Sequence, residues 1–376
     1  MNSRSLNAIR DALSLVRNSK VIEATGVIRA ALSGGKIEVA DDVANSKLLR
    51  IPTTISSPSN ASTNSVSKTS SARTLEPKKI KKFGSAKAPR APSVTGDFTS
   101  RNFRHSERNL SYMLYVPSHS SGREQSLLLM LHGCTQNPTD FALGTQMNRL
   151  ADEFNIIVAY PLQPKTANSS GCWNWFDARH QKHGFGEPAV LAALTESLRS
   201  QFSVAENRVF AAGLSAGGAM AEILASTYPQ QFSAVGVHSG LPYGAASSLA
   251  HAFGAMKGTS KIEPRLDTKI ERQSRRIVFH GSTDATVHPS NADRIVNHAR
   301  RLSSKLTQVE FTKELNGRSV TRTILQDENG ASVIEQWVVT GGGHAWFGGN
   351  GQGSYTDPKG PDASREMVRF FLRDDV

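Results

Sequence analysis

The sequence VFAAGLSAGGAM at residues 209–220 predicts a buried strand that passes through a glycine-rich turn directly into a helix, with Ser215 at the bend. So sharp a turn strains the bend residue and leaves no room for bulky side chains two positions before and after it. Gly213 and Gly217 occupy those two positions. The pattern is that of a nucleophile elbow, but it also occurs by chance at glycine-rich helix starts. The rest of the chain must therefore supply the partners of a reactive serine.

Strands and helices alternate on both sides of this turn. Residues 127–131 are an uninterrupted apolar run, typical of a buried parallel strand, and further strands are predicted at 156–160, 208–212, 234–238 and 276–280. Helical periodicity occupies residues 141–154, 189–202, 216–227, 291–306 and 362–372. An edge strand is predicted at 110–116, a hairpin of 320–325 with 333–339, and an irregular lid at 241–275. The alternation predicts an α/β fold, a mostly parallel central sheet with helices on both faces.

The composition divides the chain into three parts. Residues 1–50 contain two short amphipathic patterns and are expected to form a short helical segment. Residues 51–100 are rich in Ser, Thr, Pro and Lys and are expected to be a disordered linker, because they cannot bury enough apolar surface to offset ordering. Residues 101–376 are therefore predicted to form one catalytic domain of ordinary size.

The net charge of +12 belongs mostly to the first part of the chain. Residues 1–100 hold 16 Lys and Arg against 7 Asp and Glu. Since no run of aromatic residues interleaves with this charge, nucleic acid is not expected as a partner, although the N-terminal segment could contact a granule, an anionic surface or a protein. No apolar run approaches the ~20 residues of a membrane span, and the N-terminus lacks the apolar core of a secretory signal. The missing signal favours a cytoplasmic protein.

A reactive serine requires a base and an orienting carboxylate. His344, after the glycines of residues 341–343, is predicted to be the base, because these glycines let a strand-end loop approach another backbone closely. Asp284, just after the strand at 276–280, is predicted to be the acid, which gives the chain order Ser, Asp, His. The alternatives are His280 and His288 for the base and Asp267 and Asp293 for the acid, whereas His238 is expected to be a structural residue or one that supports the catalytic residues.

Acyl transfer also needs donors for the developing oxyanion. The segment LHGCT at residues 131–135 leaves an early buried strand through a glycine turn. The backbone N–H groups of Cys134 and of Ala216, the residue after the serine, are therefore predicted to form the oxyanion hole.

Five motifs in this order resemble those of the polyhydroxybutyrate depolymerase family of esterases. They are HGCTQ at 132–136, GCWNWF at 171–176, GLSAGGAM at 213–220, His280-Gly281 with Asp284, and GHAW at 343–346. The resemblance covers roughly residues 109–371. It implies an α/β-hydrolase fold, hydrolysis of short-chain hydroxyacyl esters without metal or organic cofactor, and an extracellular location. It also implies that Ser215 is the nucleophile, Asp284 the acid, His344 the base and Cys134 an oxyanion donor, which are the roles that the sequence spacing predicts.

The resemblance leaves the ester open. A feruloyl or acetyl xylan esterase is the alternative within the enzyme class, because such enzymes share the fold and the triad. A granule- or surface-binding protein with a vestigial hydrolase domain is the alternative from another class. Hydrolysis of soluble or amorphous esters is favoured over attack on crystalline polymer, since no separate polymer-binding module is recognised in the sequence.

Aromatic residues and both cysteines cluster around these motifs. Trp173, Trp175 and Trp346 lie on loops next to the oxyanion and base motifs, so they are predicted to line the substrate pocket; core packing is the alternative. Cys134 and Cys172 flank the same site and are a candidate disulfide that would join the Trp-containing segment to the oxyanion turn. Two thiols are the alternative in a reducing compartment.

Overall fold

A ten-stranded sheet organises the part of the chain that the structure describes. The structure is a computed structural model and describes residues 94–118, 123–260, 273–303 and 305–373. These residues belong to one compact unit, Ala91–Val376. The predicted N-terminal helical segment and nearly all of the predicted linker lie outside the described residues. The first strand begins at Asp97, inside the range assigned to the linker.

The strands of the large sheet follow the order β1-β2-β4-β3-β5-β6-β7-β10-β9-β8. Their bounds are β1 Asp97–His105, β2 Arg108–Val116, β3 Ser126–Leu131, β4 Ile156–Pro161, β5 Val209–Leu214, β6 Ala234–His238, β7 Arg275–Gly281, β8 Thr307–Leu315, β9 Arg318–Gln326 and β10 Ser332–Val339. Two short strands, β11 Trp346–Phe347 and β12 Thr356–Asp357, pair with each other.

The centre of the sheet is parallel and its two edges are antiparallel. Strands β4, β3, β5, β6, β7 and β10 form the parallel part; the first five were predicted, whereas β10 was predicted only as half of a hairpin. The prediction of β2 as an edge strand was wrong, because β1 pairs with its outer side. The predicted hairpin is present as β9 with β10, and β8 extends it. Strand β8 had no clear signal, since nearly all of its residues are exposed and no buried face imposes an alternating pattern.

The described residues form seven α-helices: α1 Pro138–Thr145, α2 Met147–Phe154, α3 Gly186–Gln201, α4 Ala216–Thr227, α5 Leu249–Met256, α6 Ser290–Leu302 and α7 Ala363–Leu372. The single helix predicted at 141–154 is two helices, because Gln146 takes a left-handed conformation and its N–H closes α1 on Ala142. The segment predicted as an irregular lid contains α5 between its irregular ends.

Buried side chains alternate between the two faces of the sheet. On β3, Leu127, Leu129 and Leu131 belong to one core and Leu128 and Met130 to the other. A strand covered on both faces is apolar throughout, which explains the uninterrupted run in the sequence. In the described residues, no helix has the length and apolar character needed to cross a membrane.

Candidate active site

Ser215 lies at the sharp turn between β5 and α4. Its backbone has φ 57° and ψ −117°, a conformation that a residue with a side chain adopts only under constraint. A Cβ atom at Gly213 would overlap the backbone of Gly217, and one at Gly217 would overlap the carbonyl oxygen of Leu131. The two glycines therefore let β3, β5 and α4 approach closely enough to hold Ser215 at the carboxyl edge of the sheet.

Asp284 and His344 are in direct contact although 60 residues separate them in the sequence. The Nδ1 atom of His344 lies 2.7 Å from Oδ2 of Asp284. The other carboxylate oxygen, Oδ1, accepts the backbone N–H groups of Thr286 at 2.9 Å and Val287 at 2.8 Å. These bonds fix the carboxylate, and the carboxylate in turn fixes the tautomer of His344 with the proton on Nδ1.

The Asp284 carboxylate is almost completely buried, with 4% of its surface exposed. Burial by itself would raise the pKa of this carboxyl, but the hydrogen bonds from His280 and His344 outweigh it and hold the pKa well below its usual range. Asp284 is therefore an anion at neutral pH. An anion beside Nδ1 stabilises the imidazolium that forms when Nε2 takes up a proton.

His238 connects the elbow to the loop that carries His344. Its carbonyl oxygen accepts the N–H of Ser215 at 2.9 Å, and its Nε2 atom accepts the N–H of Phe347 at 3.1 Å. Its ring stacks on Trp346 with centroids 5.0 Å apart. Burial, together with the charges of His280 and His344, keeps the pKa of His238 far below its usual range, so the ring is neutral and can accept. This connection agrees with the expectation that His238 is a structural residue or one that supports the catalytic residues, although the sequence did not indicate which groups it contacts.

The turn after β3 carries the predicted oxyanion donors. Within the described residues, no hydrogen bond occupies the backbone N–H of Cys134 or that of Ala216 at the start of α4. The neighbouring N–H of Gly133 is occupied, because it donates to Oε1 of Gln136 at 2.9 Å. Two free amides at these positions are what an oxyanion hole requires.

A polar cluster joins this turn to the segment that follows the His344 loop. The Nε2 atom of Gln136 donates to the carbonyl of Ser354 at 3.0 Å, and Asp140 accepts the N–H of Ser354 at 2.9 Å. Next to it, the hydroxyl groups of Thr135 and Tyr355 lie 3.1 Å apart. Gln136 was part of a quoted motif, but Ser354 and Tyr355 had no recognisable signal, because their roles depend on a contact across more than 200 residues of sequence.

Cys134 and Cys172 form a disulfide, as predicted, with their Cα atoms 4.2 Å apart. It joins the oxyanion turn to the segment at residues 171–176, here called the Trp loop. The backbone N–H of Thr135 also donates to the carbonyl of Ser170 at 2.8 Å. The Trp loop and the oxyanion turn are therefore fixed to each other by a covalent and a hydrogen bond.

Glu187 on α3 holds the other side of the Trp loop. Its carboxylate accepts the backbone N–H of Asn174 at 2.8 Å and the side-chain amides of Asn174 and Gln163 at 2.6 and 2.7 Å. Burial would raise the pKa of Glu187, but His180 and these donors outweigh it and lower the pKa. Sequence reasoning missed this residue, because a glutamate at the start of a helix usually faces solvent.

The three predicted substrate-contacting tryptophans are buried. Trp173, Trp175 and Trp346 have exposed fractions of 1%, 6% and 0%. Trp173 donates from Nε1 to the carbonyl of His132, and Trp346 donates from Nε1 to Ser364. Their packing positions the loops around the site, and substrate contact by these rings stays a prediction.

The alternative base and acid candidates lie in other surroundings. The Nε2 atom of His280 lies 2.9 Å from the carbonyl of Val287 and 3.4 Å from Asp284, so its ring backs the carboxylate from inside the protein. The Nδ1 atom of His288 lies 2.9 Å from the hydroxyl of Ser290, and Asp293 accepts from Gln336 at 2.7 Å. Neither of these pairs reaches the His344 loop. Asp267 lies outside the described residues.

The fold and the arrangement at the carboxyl edge of the sheet define an α/β-hydrolase. The solved structure of acetyl xylan esterase from Aspergillus awamori superposes with a TM-score of 0.57 at 20% identity, covering 74% of this chain and 100% of that one. Residues 110–315 match the family described as esterase PHB depolymerase. The chain belongs to this family.

Curated relatives carry the names of several esterases. Poly(3-hydroxyalkanoate) depolymerase C of Paucimonas lemoignei is 27% identical over 252 residues, which are 65% of this chain and 60% of that protein. Feruloyl esterase B of Neurospora crassa is 25% identical over 288 residues, 72% of this chain and 90% of that protein. The chain thus spans less than two thirds of the depolymerase and nearly all of the feruloyl esterase.

Proposed function

We propose that this protein is a serine esterase that hydrolyses short-chain hydroxyacyl esters through an acyl-enzyme. Ser215 attacks the ester carbonyl while Nε2 of His344 removes the hydroxyl proton, and Asp284 stabilises the resulting imidazolium. The N–H groups of Cys134 and Ala216 donate to the oxyanion. His344 then protonates the departing alcohol, and water activated by the same imidazole releases the acid. The observation that carries this proposal is the 2.7 Å contact between His344 and Asp284 at the same sheet edge as the strained Ser215.

A feruloyl or acetyl xylan esterase is the second candidate. It is supported by the match to feruloyl esterase B, which extends over 90% of that relative, whereas the match to the depolymerase covers 60% of it. All these enzymes would use the same chemistry at the carbonyl. They differ in the alcohol and acyl groups that the surrounding loops accept, so the substrate must be decided by turnover.

The location is proposed from the cysteines and the family together. A disulfide at the oxyanion turn is typical of proteins that function in an oxidising compartment. We therefore propose an extracellular enzyme, with a cytoplasmic one as the alternative. A count of free thiols on protein purified without reductant tests this, because two titratable thiols would contradict it.

The first experiment replaces the proposed nucleophile. We expect Ser215→Ala to abolish hydrolysis of p-nitrophenyl butyrate and to leave the circular dichroism spectrum unchanged. Ser247→Ala is the matched control, because Ser247 is an exposed serine outside the proposed machinery. Activity retained by Ser215→Ala would contradict Ser215 as the nucleophile, whereas a wild type without esterase activity would favour a surface-binding protein with a vestigial hydrolase domain.

The second experiment identifies the ester. Turnover of a 3-hydroxybutyrate oligomer is compared with that of methyl ferulate and acetylated xylan under the same conditions. The proposal expects the largest kcat/KM for the oligomer. A larger kcat/KM for either of the other two substrates would replace the proposed substrate with the second candidate.

A further inference from the structure

A cavity of about 320 Å³ lies beside the Trp loop, and none of Ser215, Asp284 and His344 lines it. Its residues come from the start of β2, the segment after β4, the Trp loop and the start of α3. We call it the Arg108 cavity after the charged residue at its rim. Its volume is in the range of cavities that hold small organic ligands.

The Arg108 cavity opens at the same edge of the sheet as Ser215. Strand β2 runs antiparallel to β4, so Arg108 at the start of β2 lies near the segment that follows the end of β4. Strand β3 separates β4 from β5, and β5 ends at Leu214, directly before Ser215. Two strand spacings place the cavity roughly 10 Å to the side of the elbow. A substrate that reaches both places must be an extended chain.

The disulfide and the oxyanion turn lie between the two places. Cys134 and Cys172 are both only partly buried. Gln163, which lines the cavity, donates its backbone N–H to Nε2 of His132 at 3.2 Å, and Nδ1 of His132 lies 2.8 Å from the carbonyl of Gly133. The wall of the cavity is therefore connected through a single histidine to the turn that carries the proposed oxyanion donor.

The cavity has an apolar floor and a polar rim. Leu110, Trp173 and Leu191 are buried and form the floor. Arg108 and Thr166 are exposed residues of the rim. Within the described residues, neither side chain makes a hydrogen bond or an ion pair. The rim thus presents a guanidinium and a hydroxyl with unused donors.

The inner polar groups of the cavity are already occupied. The Glu187 carboxylate accepts three hydrogen bonds from Gln163 and Asn174, and Nδ1 of His180 accepts the N–H of Glu187 at 3.1 Å. Because Glu187 has these partners, it does not compete for the Arg108 guanidinium. The negative charge of Glu187 thus lies inside the cavity and is held by neutral donors, whereas the positive charge of Arg108 lies at the rim, where a ligand can pair with it.

We propose that the Arg108 cavity binds the free carboxylate end of a short hydroxyacyl ester chain whose scissile ester lies at Ser215. The planar guanidinium of Arg108 suits a carboxylate, which accepts two parallel N–H donors. The apolar floor contacts the alkyl part of the terminal hydroxyacid unit. This proposal rests on the proposed esterase function and adds to it a preference for oligomers with a free acid end over oligomers whose acid end is esterified.

The test compares two forms of one substrate. KM is measured for a 3-hydroxybutyrate oligomer as the free acid and as its methyl ester, and the ratio of the two values reports recognition of the carboxylate. We expect the wild type to bind the free acid more tightly and Arg108→Gln to lose this preference, with KM for the free acid raised roughly 10-fold, as for a lost hydrogen bond to a charged group. Arg108→Lys should keep part of the preference, because it retains the charge.

Arg104→Gln is the matched control, because Arg104 is an exposed arginine of the same hairpin that does not line the cavity. It should keep the wild-type ratio. A wild-type ratio in Arg108→Gln, with an unchanged melting temperature, would overturn the proposal. So would a wild type that does not distinguish the two forms.

A binding experiment separates this proposal from the proposed function. 3-Hydroxybutyrate is titrated into Ser215→Ala and into the Ser215→Ala/Arg108→Gln double variant by calorimetry. Binding to the first protein and its loss in the second support the cavity even if the wild type hydrolyses none of the esters. If the wild type is an active esterase and 3-hydroxybutyrate binds equally to both proteins, or to neither, the proposed binding in the Arg108 cavity is overturned and the proposed esterase function is not.

Discussion

The Nε2 atom of His238 accepts the backbone N–H of Phe347 at 3.1 Å, while the carbonyl of the same residue accepts the N–H of Ser215 at 2.9 Å. One residue at the end of β6 thus holds both the elbow and the loop that carries His344. The two halves of the proposed catalytic machinery come from β5 and from the segment after β10, which β6 and β7 separate in the sheet. Their relative position therefore depends on His238.

Replacement of His238 by Phe should separate packing from hydrogen bonding. The new ring can still stack on Trp346, but the buried N–H of Phe347 loses its acceptor, which costs about 1–3 kcal/mol in the free energy of unfolding. We expect that loss in urea denaturation, together with a lower kcat. His183→Phe, which changes an exposed histidine on a different loop, is the control for kcat. Wild-type kcat in His238→Phe would show that this bond does not position the base.

Asp284→Asn should lower kcat by about 10³–10⁴-fold with a small effect on KM. The amide cannot hold the proton of His344 on Nδ1, so the imidazole loses the tautomer in which Nε2 accepts from Ser215. The measurement is steady-state hydrolysis of p-nitrophenyl butyrate across pH. Because Asp293 is an exposed aspartate paired with Gln336, Asp293→Asn should behave like the wild type. If Asp293→Asn lost activity and Asp284→Asn kept it, Asp293 and not Asp284 would be the carboxylate that orients His344.

Asp284 should also make the stability depend on pH. Its pKa in the folded protein is below its usual range, so ionised Asp284 stabilises the fold above the unfolded-state pKa of about 3.9, and this contribution is lost as the pH falls toward the folded-state pKa. The difference in free energy of unfolding between wild type and Asp284→Asn should therefore be larger at neutral pH than in acid. Urea denaturation at both pH values measures it. A difference that grows in acid would contradict the assigned direction of the shift.

Gly217→Ala should disrupt the elbow. The added methyl group would overlap the carbonyl oxygen of Leu131, and backbone atoms at the end of a central strand cannot move aside cheaply. We expect a loss of about 1–3 kcal/mol or more in the free energy of unfolding, and loss of esterase activity. In Gly351→Ala the methyl group enters open space, so this variant should be close to neutral. Equal stability of the two variants would contradict the close approach of β3 to α4.

Removal of the disulfide should affect both stability and activity. Cys134 and Cys172 are separated by 38 positions, and the chain-entropy relation gives about 3–4 kcal/mol for a loop of this length. The double variant Cys134→Ala/Cys172→Ala should lose about this much free energy of unfolding. Its kcat should fall, because the oxyanion turn then loses its covalent link to the Trp loop and keeps only hydrogen bonds, those of Thr135 with Ser170 and of Trp173 with His132. Treatment of the wild type with reductant should reproduce both changes, and an unchanged kcat would show that the turn is rigid without the disulfide.

The sequence predicted the central sheet well because each buried strand has to be apolar on both faces. The prediction from sequence failed at the two edge strands of the sheet. Strand β1 lies largely in solvent and was assigned in part to the linker, and strand β8 has almost no buried residue to define its pattern. The break between α1 and α2 was missed because a left-handed Gln146 has no distinctive composition.

The sequence by itself determined the fold class, the elbow at Ser215 and the order in which a serine, an acid and a histidine follow one another. These are local properties, since steric limits at a sharp turn and burial of a strand select residue types within a few positions. The tertiary structure decided which residues meet. It brought His344 to Asp284 and set His238 between the elbow and the loop that carries His344. It also placed Arg108 beside the Trp loop and buried the three tryptophans that the sequence predicted to contact substrate. Contacts between residues far apart in the chain depend on the order of the strands in the sheet, and this order cannot be predicted from any single segment of the sequence.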